Sequence, residues 1–159
     1  MFDSDTLEVL GRDECLTLIS EVPVGRIIFT YRALPAVLPV NFALHDDSVI
    51  IRTPGGSKLS TAARNAIVAF EADQIARDWE AGWSVTVVGH ASEATDPDEL
   101  AKLTALALRS WAPDRSDHYI RIAAELVSGR RIRRGHVPNG GGLGWGDGQA
   151  SPRGNQTPC

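Results

Sequence analysis

The sequence predicts a mainly β domain with flanking helices, and three observations support this fold class. Six segments have the apolar content and short length that are typical of strands. The first three are separated by compact turn signals, Leu34-Pro35 and Asp46-Asp47, which suit an antiparallel meander. Helical patterns interrupt the later strands, but strands and helices do not alternate regularly. We therefore expect an antiparallel sheet or barrel.

Three helices are expected between or before these strands. Apolar positions recur at helical spacing from residue 11 to 21, which indicates a short amphipathic helix. A second helix is expected at 57–65, with Ser57 as its N-cap, and a third begins after the N-cap Asp96 with Pro97 at its first position. The six strands are expected at 24–31, 36–44, 48–53, 67–72, 84–94 and 119–123.

The second strand has one apolar face and one mixed face, because alternate residues of a strand point to opposite sides. The apolar face is expected in the core and consists of Leu38, Val40, Phe42 and Leu44. On the other face, Pro39 lacks a backbone donor and indicates an edge or a break in the sheet. Asn41 would be costly to bury unpaired, so this face suits a flat polar ligand.

The segment 49–58 joins a strand, a turn and the start of a helix, and its residue types suit a phosphate. Arg52 and Lys58 supply positive charge, while Thr53 and Ser57 supply hydroxyl donors. Two glycines in the turn leave the backbone accessible to a ligand. A basic residue at the start of a helix is unfavourable unless an anion offsets the dipole. The segment is therefore a candidate anion site.

Composition limits the classes to which the chain can belong. Its 159 residues, 43% of them hydrophobic, fit one ordinary domain, and the net charge of −4 argues against a nucleic-acid binder. Neither a signal peptide nor a membrane span is visible, so a cytoplasmic protein without a membrane partner is expected. We assign residues 1–134 to the domain. The glycine-rich segment 135–159 has no apolar periodicity and is predicted to be a disordered tail.

Cysteines and histidines do not indicate a metal site. Cys15 lies in a predicted helix and Cys159 in the tail, a distribution that fits neither a disulfide framework nor a zinc site. The four histidines lie in separate elements without ligand spacing. His90, on the long fifth strand, is interpreted as an ordinary strand histidine, with a haem ligand or a substrate contact as its alternative roles.

An ordered set of motifs carries a resemblance to a known family. The motifs are Val24-Gly25-Arg26-Ile27, Leu38-Pro39-Val40-Asn41-Phe42-Ala43-Leu44, Ile51-Arg52-Thr53, Gly56-Ser57-Lys58-Leu59, Gly82-Trp83-Ser84-Val85, Trp111-Ala112-Pro113 and His118-Tyr119-Ile120-Arg121-Ile122. From about residue 10 to 131, the chain resembles the pyridoxamine 5′-phosphate oxidase-like superfamily of FMN-binding split β-barrels. Within it, the chain is most similar to short flavin-binding proteins common in actinobacteria.

The resemblance implies a fold, a cofactor site and an assembly. The fold is a six-stranded antiparallel split barrel, and the assembly is a homodimer with two flavin sites at the subunit interface. The flavin phosphate falls on Arg52, Thr53, Ser57 and Lys58. The resemblance places the ring and the ribityl chain of the flavin beside Pro39, Val40 and Asn41. It also implies that Ser84 contacts the flavin, with Trp83 next to it. Trp83 is most simply explained as a core or dimer-interface aromatic.

The implied activity is that of an FMN-dependent oxidoreductase acting on a small organic substrate, with no catalytic side chain assigned. Two alternatives within the superfamily replace FMN with a reduced-deazaflavin coenzyme or with haem. A further alternative from another class is a dimeric flavin-binding or partner-binding module without turnover.

Overall fold

The computed structural model describes residues 7–78, 80–109 and 117–133, which form a barrel with a two-stranded extension. The strands are β1 (Leu7–Leu10), β2 (Val24–Tyr31), β3 (Leu34–His45), β4 (Ser48–Pro54), β5 (Ala66–Ile75), β6 (Gly82–Glu93), β7 (Asp117–Ala123) and β8 (Leu126–Ile132). The helices are α1 (Arg12–Ser20), α2 (Lys58–Ala62) and α3 (Pro97–Ala105). Within these ranges, no helix has the length and apolar character needed to cross a membrane.

Six strands close the barrel in the order β6-β5-β2-β3-β4-β7, and β7 pairs back to β6. Every pairing is antiparallel. The remaining two strands extend the sheet outward from β6, with β8 next to it and β1 at the edge. The predicted fold class, a mainly β six-stranded antiparallel split barrel, is confirmed.

The barrel splits where β6 changes partner. Val88 is the last residue of β6 that pairs with β8, and Ala91 is the first that pairs with β7. Between them, a Cβ built on Gly89 would lie 1.7 Å from the carbonyl oxygen of Ala123, so the close approach of the two backbones requires glycine. The N–H of His90 donates to the Glu125 carboxylate at 3.1 Å, which satisfies a donor that neither neighbouring strand uses.

The barrel interior is filled by aliphatic and aromatic side chains. The Phe42 and Phe70 rings pack with centroids 4.6 Å apart, and Gly25 leaves the space that the Phe70 ring occupies. Helix α1 packs on β6 and β8 with Cys15 and Ile19 fully buried. Burial raises the pKa of the Cys15 thiol, so this cysteine behaves as a small apolar residue.

The structure corrects the sequence expectation at three places. Helix α2 spans five residues rather than the expected 57–65. Leu38 was expected in the core but is 39% exposed, because β3 has no β4 partner before the Phe42–Ile51 pair. Strands β1 and β8 were not among the six expected strands. The tail predicted at 135–159 lies outside the described residues.

Candidate functional site

A cavity of about 320 Å³ lies where β3 runs past the end of β4, beside α2. The open edge that Pro39 indicated in the sequence forms one wall, since this part of β3 pairs only with β2. The end of β4 and the first turn of α2 form the other wall. Seven of the nine predicted site residues line this cavity: Pro39, Val40, Asn41, Arg52, Thr53, Ser57 and Lys58.

The turn between β4 and α2 holds two hydroxyl groups in fixed positions. The Oγ atom of Ser57 accepts the N–H of Ser60 at 3.0 Å and lies 3.0 Å from Oγ1 of Thr53. Ser57 is therefore the N-cap that the sequence predicted. Gly56 has a φ of 73°, a left-handed conformation that favours glycine. Because the two hydroxyls share one hydrogen between them, the other hydroxyl hydrogen remains for an acceptor in the cavity.

Lys58 supplies positive charge to the cavity. Its side chain is exposed and has no carboxylate partner in the part of the chain that the structure describes. The Nζ atom lies 5.7 Å from the centroid of the Tyr31 ring, a cation–π contact that holds the ammonium group beside the barrel. Since α2 has only five residues, its dipole is small and Lys58 itself is the main source of positive potential.

Arg52 is less available to a ligand than the sequence suggested. Its Nε atom forms an ion pair with Oδ2 of Asp117 at 2.7 Å, and the Asp117 side chain is only 6% exposed. Its Nη1 atom donates to the carbonyl oxygen of Leu108 at 3.1 Å. The charge of Arg52 is thus balanced within the protein, and its role in the cavity wall is largely structural.

Asn41 anchors the same segment that Arg52 contacts. Its Nδ2 atom donates to the carbonyl oxygen of Arg109 at 3.2 Å. Together, Asn41 and Arg52 fix the backbone at 108–109, just after α3, against the rim of the cavity. The sequence analysis identified Asn41 as a residue that needs a partner, but not the segment that provides it.

Trp83 and Ser84 do not line the cavity. Consecutive residues of a strand face opposite sides, and here Trp83 points into the barrel core, where it is 7% exposed. Ser84 lies on the outer face of the sheet and pairs with Arg130 of β8. There it lines a separate shallow pocket of about 190 Å³ with Thr86, Ser128 and Arg130. The core explanation for Trp83 therefore fits its position.

Comparison with known proteins identifies the family. A sequence model described as pyridoxamine 5′-phosphate oxidase matches residues 11–131, which span the barrel and all but the last residue of β8, but not β1. The chain belongs to the pyridoxamine 5′-phosphate oxidase family.

Several members or structural relatives of the family are similar over most of the chain. The uncharacterised protein Rv0080 of Mycobacterium tuberculosis is 41% identical, covering 77% of this chain and 84% of that protein. An FAD-binding protein from Mycobacterium smegmatis is 35% identical with a TM-score of 0.69, covering 79% of this chain and 97% of its own. A structure described as a putative pyridoxamine 5′-phosphate oxidase from Corynebacterium glutamicum has a TM-score of 0.71 at 28% identity, covering 85% of this chain and 99% of its own.

In this family member, a second polar cluster is connected to the cavity wall through the pairing of β4 with β7. Thr53 pairs with His118 of β7, and the His118 ring contacts the Glu93 carboxylate. Nε of Arg64 lies 3.3 Å from the same carboxylate. The sequence analysis assigned no role to Glu93, which lies far from the 49–58 segment in the chain, or to Arg64, whose partner Glu93 is not visible in any local pattern.

Proposed function

We propose that this chain binds a flavin nucleotide in the cavity between β3, β4 and α2 and acts as a flavin-dependent oxidoreductase on a small organic substrate. One observation carries the proposal: Lys58, without a carboxylate partner in the described ranges, lies beside the paired hydroxyls of Thr53 and Ser57. An ammonium group and hydroxyl donors at a turn are suited to a phosphate. The 35% identity to an FAD-binding protein supports the choice of a flavin.

The rest of the cavity fits the other parts of a flavin. Leu38, Pro39 and Val40 provide an apolar wall for a flat ring. The Nδ2 atom of Asn41 already donates to Arg109, so the Oδ1 atom is the group of this side chain that can accept from a polar ring edge. FMN is the cofactor that the resemblance implies. Since FMN and FAD share the first phosphate, these contacts apply to both.

A bound flavin would supply the electron or hydride transfer, and the protein would supply position and charge. Lys58 would balance the phosphate, and the hydroxyl pair would orient it. No His, Cys or Met is among the described residues that line the cavity, and His90 is exposed elsewhere on β6. The cavity offers ammonium, hydroxyl and amide groups rather than side chains that commonly ligate haem iron, and this favours a flavin over haem. The deazaflavin coenzyme also carries a phosphate, so the same contacts would suit it.

A homodimer is the second part of the proposal, and the outer face of the sheet supports it. One row of apolar residues crosses five adjacent strands in register: Val37, Ile28, Ala69, Val88 and Leu126. Its two ends are well exposed, Val37 at 55% and Leu126 at 69%. A continuous apolar row on an exposed sheet face is typical of a protein–protein interface.

Dimerisation through this face would also explain the position of Ser84. A two-fold axis parallel to the strands near β5 places the β8 edge of one sheet opposite the β3 edge of the other. Ser84 and Asn41 lie on the same side of the apolar row, Ser84 in β6 and Asn41 in β3. In such a dimer, Ser84 of one subunit faces the cavity of the other, where it would complete the flavin site.

The test is spectroscopic and catalytic. We expect the purified protein, after incubation with FMN or FAD and removal of free ligand, to show the two visible absorption bands of a flavin. NAD(P)H should bleach these bands, and an added electron acceptor should restore them. A spectrum without flavin bands after both incubations contradicts the binding proposal. A bound flavin that no donor reduces contradicts the enzymatic part and favours a binding module.

A further inference from the structure

The shallow pocket on the outer face of β6 and β8 contains polar groups with few partners of their own. It has a volume of about 190 Å³, and three hydroxyl side chains and one arginine line it: Ser84, Thr86, Ser128 and Arg130. None of the three hydroxyls forms a hydrogen bond within the described ranges. The Arg130 side chain donates there only from Nη1 to the carbonyl oxygen of Gly129, at a long 3.4 Å. The pocket therefore offers a guanidinium group and three hydroxyls to a ligand.

Arg130 differs from its neighbour Arg131 in the face of β8 on which it lies. Successive residues of a strand point to opposite sides. Arg131 lies on the side of α1, where its Nη2 atom is 2.6 Å from Oε1 of Glu14. Arg130 lies on the outer face with its strand partner Ser84 and forms no ion pair with a carboxylate in the described ranges. Within those ranges, the charge of Arg130 is therefore not balanced.

The proposed dimer places Arg130 opposite the cavity of the other subunit. β3 and β8 lie two strands from β5 on opposite sides of it, and they run in the same direction. Asn41 follows Val37 by four residues in β3, and Arg130 follows Leu126 by four residues in β8. Both therefore lie about 13 Å from the apolar row, on the same side of it. A two-fold axis parallel to the strands keeps this level, so Arg130 of one subunit faces Asn41 of the other.

The strand that faces Arg130 in this dimer has no carboxylate to offer. β3 spans Leu34–His45 and contains neither Asp nor Glu. Asp73 lies in the same row of the sheet as Arg130, but it is in β5, where its carboxylate is 3.6 Å from Nη1 of Arg26. A guanidinium group that an interface covers without a counter-charge is costly. An anion at the rim of the facing cavity would supply that charge.

We propose that the substrate of this protein is a small organic carboxylate, and that Arg130 of the partner subunit binds it with the hydroxyls of the shallow pocket. The flavin phosphate is assigned to Lys58 on the α2 wall of the cavity, so Arg130 is left for a second anionic group on the β3 side. This inference rests on the proposed flavin function and its dimer, and it adds the class of substrate.

The chemistry of Arg130 favours a carboxylate over a phosphate. A planar guanidinium group binds a carboxylate through two parallel hydrogen bonds, and its single charge balances the single charge of that group. A phosphate monoester carries about 1.5 to 2 negative charges near pH 7, so one arginine would leave it partly unbalanced. The hydroxyls of Ser84, Thr86 and Ser128 add donors but no charge.

The experiment measures how the flavin-loaded protein binds three probes that share a phenyl ring. Benzoate carries one negative charge, benzamide is its neutral analogue, and phenyl phosphate carries the larger charge. Calorimetry gives the dissociation constants for the wild type, for Arg130→Gln and for the matched control Arg12→Gln, at an exposed position of α1. We expect the wild type and the control to bind benzoate at least about tenfold more tightly than benzamide, and no less tightly than phenyl phosphate. In Arg130→Gln, benzoate affinity should fall to about that of benzamide, and benzamide affinity should change less than about twofold.

A mixed dimer tests which subunit supplies Arg130. Lys58→Ala chains should hold little flavin, and Arg130→Gln chains should hold flavin without a preference for benzoate. In a dimer of one chain of each kind, the flavin of the Arg130→Gln chain faces the intact Arg130 of the other chain. The mixed dimer, co-expressed with two different affinity tags and purified on both, should therefore regain the preference for benzoate. A mixed dimer without that preference contradicts a role for Arg130 across the interface.

The remaining outcomes separate this inference from the function on which it rests. A wild type with normal flavin bands that binds benzoate and benzamide equally, or phenyl phosphate more tightly than benzoate, contradicts the carboxylate assignment alone. An Arg130→Gln variant that becomes monomeric in sedimentation assigns Arg130 to the interface instead, and one that loses FMN affinity assigns it to the flavin. A wild type without flavin bands contradicts the proposed function, and this inference fails with it.

Discussion

Among single residues, the four predicted phosphate ligands differ in how available they are to a ligand. Lys58 is exposed and has no carboxylate partner in the described ranges, whereas Arg52 is balanced by Asp117 at 2.7 Å. Thr53 and Ser57 lie between them and are fixed by a hydrogen bond and a helix cap. A ligand phosphate would therefore gain most from Lys58 and from the hydroxyl hydrogen that the pair leaves available.

A prediction at the residue scale concerns Gly89, at the point where β6 changes partner. The change Gly89→Ala places a Cβ 1.7 Å from the Ala123 carbonyl oxygen, so the strands must separate. We expect the free energy of unfolding to fall by about 3 kcal/mol, measured by urea denaturation.

Gly11→Ala provides the matched control for that measurement. A Cβ at Gly11 meets no atom within 4 Å, and its φ is −74°. The free energy of unfolding of Gly11→Ala should fall by less than about 1 kcal/mol, because only the preference of the residue for the N-cap position changes. Equal losses in the two variants would contradict the steric explanation for Gly89.

At the scale of elements, local patterns predicted the barrel well. The six expected strands are the six that close it, because each has a clear apolar pattern or a turn signal at its ends. The cap at Ser57 was also predictable, since capping depends on residues three positions apart. Long-range contacts were not predictable. Asn41 binds a carbonyl group 68 residues away, and no local pattern points to that partner.

The pairing of strands β1 and β8 was also not predictable from local sequence patterns. β1 has only four residues, and its neighbour β8 contains arginines that obscure an apolar alternation. Their pairing joins residues near the start of the barrel domain to residues near its end. Ion pairs between Glu8 and the arginines Arg131 and Arg133 accompany the pairing. These contacts appear only when the two segments are placed side by side.

A pH prediction follows for this strand pair. The hydrogen bond from Arg133, with help from Arg131, holds the pKa of Glu8 below its ordinary value. A carboxyl whose pKa is lower in the folded protein adds stability above its unfolded pKa, and this is lost as pH falls through the folded value. Glu8→Gln should therefore lower Tm by a few degrees at most at pH 7, and the difference from wild type should shrink below the ordinary glutamate pKa. Thermal melts at pH 7 and pH 3 provide the comparison, and a constant difference would contradict the assignment.

For the whole molecule, the main question is how the outer sheet face is covered. Trp83 and Ser84 are neighbours in sequence but lie on opposite faces of β6, so one chain cannot bring both to the same ligand. The family resemblance assigned both residues to a flavin site, but it does not say which subunit of a dimer contributes each residue to which site. The register of the sheet supplies the missing step, because it places Ser84 on the same outer face as the apolar row.

The corresponding prediction concerns Val37, at the end of that row. Val37→Asp introduces a charge into the proposed interface, so the dimer should dissociate in sedimentation velocity at micromolar concentration. Ala101→Asp, on the exposed side of α3, is the control and should remain dimeric. A wild-type protein that is monomeric while it holds flavin tightly would contradict the interface and the shared site together.

The measurement that tests the central claim most directly is a flavin titration that separates the phosphate from the ring. Wild type and Lys58→Ala are each titrated with FMN and with riboflavin, which has the same ring but no phosphate, and Lys102→Ala on α3 serves as the control. If Lys58 binds the phosphate, wild type and the control should bind FMN far more tightly than riboflavin. Lys58→Ala should lose about 1.5–3 kcal/mol of FMN affinity with little change for riboflavin. An FMN affinity that Lys58→Ala leaves unchanged, or a wild type that does not distinguish FMN from riboflavin, would contradict the account.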